Sequence, residues 1–311
     1  MSRWPQLLDS REVAPLRHET PGGRRGIEDT TLTIPRAAET GDQASTTNLR
    51  NQELSPRRPE PDRIRSEYRE RNRTYRLRDS EITALVHIGA FRAVNEEDLT
   101  KYGYDGNQAR MESDLRNLSQ QSLIERHTLP GFKGDTPTMV ALTREGQKLL
   151  RHSRVLPSDQ ATYHGFRKPK EARHDAELYR LYQKVASEIV SKGGKNLRVY
   201  LDYELKKNLY RDLAKLGPER DDPEKKAEIS ARNGLRVVGN RIPLPDMRIE
   251  YDTPDLDRAK VDLELATSHY HARHMTEKAH AGFTIYGRAD DVTRLRRILN
   301  DREVTAEILS L

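Results

Sequence analysis

The sequence predicts a multidomain chain of the α+β / α/β class in three parts: a disordered polar arm, a small domain of helices closed by a β-hairpin, and a larger domain in which helices and strands mix. Three observations predict this. Apolar residues make up only 34% of the 311 positions and charged residues 33%, so a sizeable part of the chain cannot bury enough apolar surface to offset the entropy of ordering. That shortage is concentrated in the first 76 residues, which sustain no apolar periodicity. Beyond them, apolar spacing of three and four alternates with spacing of two, in two blocks separated by a polar linker.

The arm, residues 1–76, is dominated by Pro, Arg, Glu, Thr and Gly, in stretches such as TPGGRRG and LSPRRPEPDRIR. Such composition predicts disorder. Its Lys-plus-Arg complement is entirely Arg, including Arg57, Arg58, Arg63, Arg65, Arg69, Arg71 and Arg73, which suits a phosphate-contacting arm. Acidic residues are interleaved, and a solvated tail held soluble by mixed charge fits the same letters.

The block over residues 77–154 opens with DSEITALVHIGAFRAV, where Ser80 is placed to cap a helix carrying Ile82, Leu85, Val86 and Ile88 at helical spacing. In VNEEDLTKYG, Asn95 and Asp98 resemble a capping arrangement and Gly103 ends a short helix. A third helix follows in GNQARMESDLRNLSQQSLI, with Met111, Leu115 and Leu118 on one stripe. SLIERHT and TMVALT flank the Gly- and Pro-containing LPGFKGDTP and read as a hairpin with an extended tip. Thr143 then caps an amphipathic helix, TREGQKLLRHSR. Helix, helix, helix, hairpin, helix is the order of a winged helix-turn-helix domain.

A linker over residues 155–171 leads to the last part, 172–311. HDAELYRLYQKVASEIVSKGG is a helix ended by Gly193 and Gly194, NLRVYLDY a strand, ELKKNLYRDLAKLG a helix and PERDDPEKKAEISARNG a charged loop. Gly239-Asn240 signals a hairpin, followed by two longer strands, a helix from about His269 to Ala281, the strand FTIYG and a helical C-terminal segment. No internal repeat is visible.

Fifty-five Lys plus Arg against 49 Asp plus Glu give a formal charge of +6 and a pI near 9.3, favouring a polyanionic partner. The absence of cysteine excludes disulfides, thiolate-zinc sites and cysteine nucleophiles and points to a reducing, cytoplasmic setting. The N-terminus lacks the apolar core of a signal peptide, and no run approaches the ~20 apolar residues of a membrane span, so no membrane partner is expected. Neither a Ser-His-Asp order nor a Gly-rich nucleotide loop is present.

In a helix-turn-helix the third helix packs one stripe inward and presents the other to the major groove. With Met111, Leu115 and Leu118 inward, the outer side carries Arg110, Ser113, Arg116, Asn117 and Gln120, and Lys133 stands at the hairpin tip. These side chains can reach base edges or phosphates of double-stranded DNA. Glu112 and Asp114 weaken this basic face, and a protein-contact module fits the same order of elements.

Carboxylates form the second candidate site. Period-two alternation puts Asp246, Arg248 and Glu250 on one face of LPDMRIEY, and Lys260, Asp262, Glu264 and Ala266 on one face of AKVDLELAT. If the strands pair, acids from both converge at one end of the sheet, where oxygen ligands can hold Mg²⁺. The alternatives stay open: Asp262 facing water or pairing with Lys260, Glu204 as an ordinary acid of a helix first turn, and His174 as a capping or packing residue. His269, His271, His274 and His280 are better read as surface or phosphate-contacting residues than as zinc ligands.

The order helix, strand, strand, strand, helix, strand, with Pro245-Asp246 opening one strand and Glu264-Leu265-Ala266 in the next, resembles the PD-(D/E)XK nuclease superfamily. The resemblance implies an αβββαβ domain in which Asp246 and Glu264 are the metal-binding acids. Its lysine position is Ala266 here. A relocated lysine on the following helix is a variation of that superfamily, and Lys278 is placed for it, sharing a helical face with His271 and His274. Glu204 borders the implied cleft. The chain also resembles the replication-relaxation family of plasmid and mobile-element proteins over roughly residues 79–286, through RHDAELYRLY with His174, VYLDYELKK with Glu204, PDMRIEY, DLELAT and EKAHAGFTIY. That resemblance implies DNA handling on plasmids, phages or integrated elements.

The expectation is therefore a DNA-binding protein with or without Mg²⁺-dependent endonuclease activity carried by Asp246, Glu264, Lys278 and Glu204. Two non-enzymatic alternatives stand beside it. One is a replication or transcription regulator on a degenerate nuclease-like scaffold, the other an adaptor that recruits a relaxase or replication protein.

Overall fold

The computed structural model describes residues 65–130, 136–153, 155–157, 160–166, 168–267, 270–300 and 308–311. All of them fall in one compact unit. Residues 1–64 of the expected arm, and Lys133 and His269, lie outside the described residues.

The arm's expected boundary at residue 76 is corrected by a β-hairpin. Strand β1 (Ser66–Glu70) runs antiparallel to β2 (Arg73–Leu77), with Tyr68 opposite Tyr75. Its two-residue turn places Arg71 at φ 52°, the positive φ that tight hairpins require. Tyr75 and Leu77 are buried. Two tyrosines and one leucine spaced among arginines are a thin apolar signal, yet the face they share seats the hairpin on the following helices.

Next come α1 (Asp79–Phe91), β3 (Val94–Asn95), α2 (Glu96–Gly103), α3 (Gln108–Gln120), β4 (Ile124–Thr128), β5 (Thr138–Leu142) and α4 (Arg144–His152). The strands form an antiparallel sheet ordered β3-β5-β4, which gives this region the arrangement of a winged helix. Asn95 caps α2 by accepting from Glu97 N at 2.9 Å, and Thr143 caps α4 by accepting from Gly146 N at 3.1 Å. Ser80 does not cap α1: the helix already begins at Asp79, and the Ser80 hydroxyl donates to Asp114 at 2.6 Å. Glu81 folds back onto Arg78 N at 2.7 Å and satisfies that helix end instead.

The expected linker is stitched to both of its neighbours. Tyr163 N donates to Gly89 O and Gly165 N to Leu142 O, each at 2.8 Å. Gln160 exchanges two hydrogen bonds with the main chain of Val199, at 2.9 and 3.1 Å.

The remainder comprises α5 (Pro169–Ser191), β6 (Lys195–Leu201), α6 (Asp202–Ala214), a 3₁₀ turn (Gly217–Asp221), α7 (Pro223–Arg232), β7 (Met247–Asp252), β8 (Arg258–Ala266), α8 (Ala272–His280), β9 (Thr284–Gly287), α9 (Ala289–Asn300) and β10 (Ile308–Ser310). Strands β6, β7 and β8 are antiparallel, and β9 and β10 continue the sheet in parallel, in the order β10-β9-β8-β7-β6. Two expectations are corrected. The charged loop contains α7, which starts where Asp222 accepts from Glu224 N and Lys225 N and Pro223 occupies the first turn. The C-terminal segment is not helical throughout but returns to the sheet as β10. At Gly239-Asn240 the turn forms, closed by a single bridge between Val238 and Arg241 rather than by two strands.

One continuous core joins the winged-helix-like region to the sheet. Leu85 and Phe91 of α1, Leu178, Tyr179 and Tyr182 of α5, and Val199, Ile249 and Leu263 of the sheet belong to it. Helix α5 is its shared wall: Tyr179 and Tyr182 both pack against Phe91, with ring centroids 5.3 and 5.1 Å away. Each buried side chain of this size contributes ~1.5–3 kcal/mol.

Candidate functional site

On α3 the apolar stripe buries Met111, Leu115 and Leu118 as expected, and a fourth residue goes in with them. Asp114, expected on the outer face, is fully buried and accepts from Arg78 at 2.7 Å and from Ser80. It therefore subtracts nothing from the outer charge. Glu112 is engaged by Arg126 of β4, which also pairs with Glu96 of α2. Of the five expected outer residues on the helix, Ser113, Arg116 and Gln120 are exposed and Arg110 and Asn117 are half-buried. The Asn117 amide donates to Glu81 at 2.8 Å and to Arg76 O at 3.3 Å, so it fastens the hairpin rather than facing solvent.

The carboxylate pair assembles where three elements meet. Register pairs Arg248 with Asp262 across β7 and β8, and the residue that precedes β7, Asp246, comes beside Glu264. Asp246 N donates to Glu264 Oε2 at 3.2 Å, and Leu265 N returns a bond to Asp246 Oδ2 at 2.9 Å. Glu264 is fully buried. From α8, Lys278 Nζ reaches its two oxygens at 2.7 and 2.8 Å and also donates to Leu244 O. The Tyr270 hydroxyl donates to Glu264 Oε1. From α5, His174 Nε2 stands 3.6 Å from Asp246 Oδ1.

Electrostatics follow from that geometry. Burial pushes the Glu264 carboxyl upward, the Asp246 charge adds to the rise, and Lys278 and Tyr270 oppose it. For His174, burial pushes downward, but the hydrogen bond and charge of Asp246, helped by Asp175 and Glu177, outweigh it and leave the imidazole raised. Burial also lifts Tyr270 above the usual phenol range, with Glu264 beside it acting the same way.

Glu204 does not join this group. It sits in the first turn of α6 and lines a separate cavity with Arg92, Arg151, Tyr163, Tyr203 and Lys207. Burial lifts its carboxyl to about 7, against the pull of Tyr163, Arg92 and Lys207. Across the same wall, Asp175 is also lifted to about 7 by burial, although Arg92 lies 3.8 Å from it. His271 and His274 are exposed, their rings 6.1 Å apart, and no group of three or more His, Asp or Glu side chains among the described residues is placed to hold a metal ion.

Asp262 neither faces water nor relies on Lys260. Arg248 holds it with two bonds of 2.6 and 3.0 Å, while Lys260 stands at 3.6 Å. Sequence reasoning missed Tyr270 as a partner of Glu264, and the Leu244 carbonyl as a partner of Lys278. Tyr270 lies in the short polar run TSHYH, which carries no periodicity to assign its direction.

No known protein family and no curated protein matches the chain, so the resemblances to the PD-(D/E)XK and replication-relaxation groups rest on the quoted residues alone. Among solved structures the chain is similar to Bacillus subtilis PadR in complex with operator DNA, at 13% identity, over 50% of this chain and 93% of that one, with a TM-score of 0.22. A superposition that loose carries no argument about function, and the winged-helix-like description of residues 79–152 stands on its own elements.

Proposed function

We propose that the protein binds duplex DNA through the outer face of α3, and that the sheet region behind it is a non-catalytic scaffold of PD-(D/E)XK-like element order. This is the role of a regulator or adaptor acting on plasmid, phage or integrated-element DNA. One observation carries the reading: the helix in the position of a winged helix's recognition helix exposes Ser113, Arg116 and Gln120, while Asp114 is buried against Arg78 and Glu112 shares Arg126 with Glu96. Its 13 residues span ~20 Å, long enough to lie in a major groove.

The scaffold half rests on Glu264. Both of its oxygens face donors, from Lys278, Tyr270 and Asp246 N, and both oxygens of Asp246 face Leu265 N or His174. A divalent ion needs free carboxylate lone pairs, and here an ammonium occupies the position from which a cation neutralises Glu264. These contacts support a structural role for the pair, and Mg²⁺ would have to displace the ammonium to take its place beside Glu264.

The test pairs two assays on the full chain. In fluorescence titrations with duplex DNA, Arg116→Ala plus Gln120→Ala weakens binding by ~1–3 kcal/mol; unchanged affinity removes α3 from the interface. With supercoiled plasmid and Mg²⁺ the expected outcome is that the DNA stays intact. Nicking that disappears in Asp246→Asn would overturn the scaffold assignment and restore the endonuclease.

A further inference from the structure

We infer that the β1–β2 hairpin is a second DNA-contacting element, a folded basic clamp for the phosphate backbone beside the C-terminal end of α3. It rests on the DNA-binding reading above and extends that surface beyond the helix.

Three hydrogen bonds fix the hairpin to the recognition helix. Gln121, which caps the end of α3, accepts from Arg76 N at 3.0 Å and donates to Arg76 O at 3.2 Å, and Asn117 donates to the same carbonyl at 3.3 Å. The opposite strand is held as well: the buried Glu70 lies 3.2 Å from His152 of α4. Below, Tyr75 and Leu77 enter the core and Arg65, just before β1, pairs with the buried Glu81 at 3.2 Å. The element is therefore set at a defined place relative to Arg116 and Gln120.

Its exposed surface carries an excess of positive charge. Arg69 and Arg76 lie on the outer face, with Glu67 opposite Arg76, while Arg71 stands in the turn and Arg73 lies opposite the buried Glu70. Arg71 lies 3.7 Å from the buried Glu70. Four guanidiniums against two acids leave the short ribbon with net positive charge, which a row of phosphates would balance while matching the donor fork of Arg. Base readout belongs to the exposed face of α3; a hairpin at the far end of that helix lies where the backbone flanks the groove. Its contacts would position the protein without reading sequence.

The experiment measures duplex affinity of the full chain between 50 and 200 mM salt, for wild type, an Arg69→Ala/Arg71→Ala/Arg73→Ala/Arg76→Ala variant, and the same four positions changed to Lys. Each phosphate contact adds about 0.9 to the slope of log affinity against log salt, so losing three contacts shrinks the wild-type advantage by roughly 40-fold across that range. The Ala variant is expected to lose that slope equally on every duplex sequence, and the Lys variant to keep most of it. Both retain the buried Tyr75, Leu77 and Glu70, and thermal melting of the two verifies that the hairpin stays folded. An Ala variant with wild-type slope overturns the clamp, and leaves the DNA-binding reading standing if Arg116→Ala still weakens binding. Wild-type protein that shows no salt-dependent duplex binding overturns both.

Discussion

Replacing Lys278 by Met is the sharpest perturbation of the carboxylate cluster. Glu264 is fully buried, and the ammonium it loses lies 2.7 and 2.8 Å from its two oxygens. Removing one partner of a buried ion pair costs ~3–5 kcal/mol, because the remaining charge stays desolvated. Tyr270 and Asp246 N still donate to Glu264, and the carboxyl, already raised by burial and by Asp246, can take up a proton once Lys278 no longer holds it ionised. Protonation caps the cost most effectively at low pH, at about 1.4 kcal/mol per pH unit. The expected loss in urea unfolding is therefore ~3–5 kcal/mol at pH 8, where the ionised form sets it, and at most about 2.4 at pH 6, the cost of protonating a carboxyl of ordinary pKa ~4.3, and Lys278→Met combined with Glu264→Gln recovers most of it. A loss below about 1 kcal/mol at both pH values would refute the premise that this pair is buried and mutually dependent. Melting of the wild type is expected to ignore millimolar Mg²⁺. A rise in Tm with Mg²⁺ that Asp246→Asn abolishes would mean that an ion displaces the ammonium.

Gly146→Ala is expected to destabilise by ~3 kcal/mol, since the added Cβ would stand 2.0 Å from the main-chain oxygen of Leu123 and force α4 off the start of the wing; urea unfolding with a loss under ~0.5 kcal/mol would show that the helix shifts freely. Stability is also expected to fall between pH 5 and pH 8. Asp175 and Glu204 are raised to about 7 by burial, so the folded chain keeps protons that the unfolded chain has released; their contribution is complete below pH ~4 and lost as pH rises through 7. Asp175→Asn, measured by the same denaturation series, should flatten that slope, and an unaltered slope would assign it to other groups.

Much of the architecture was legible because periodicity and capping chemistry agreed. Thr143 three residues before Gly146, and Asn95 before the acidic first turn of α2, marked helix starts that the structure keeps. The period-two alternation grouped Asp246 and Glu264 with the facing sides of their strands, and the bonds from Asp246 N to Glu264 and from Leu265 N to Asp246 follow. What escaped shares a physical cause. The β1–β2 hairpin, α7 and β10 are each seated by few buried apolar side chains, Tyr75 and Leu77 in the first, Ile229 in the second and Ile308 in the third. In a strongly charged background, so few apolar letters give no period to count. Asp114 escaped for another reason: helical spacing put it next to the buried stripe, and its burial depends on donors from distant Arg78 and Ser80, 36 and 34 residues away.

The two acids alternating on β8 behave as one device rather than as two unrelated charges. Asp262 is held from the neighbouring strand by Arg248, whose remaining donors reach Asn233 O and Gly234 O behind α7. Glu264, two residues on, is held from α8 by Lys278. Each acid thus ties the sheet to a different covering segment, which is a structural reason for a strand to carry both. Helix α5 does the same between regions: Arg180 makes a bidentate pair of 3.0 Å bonds with Asp98 of α2, while His174 of the same helix approaches Asp246. Because the core is continuous through Tyr179 and Tyr182, α5 links α1, on which α3 packs, to the sheet that carries the carboxylate cluster. The proposed scaffold role for the sheet region then has physical content, since Arg180 and His174 fasten one helix both to α2 and to the acid that precedes β7.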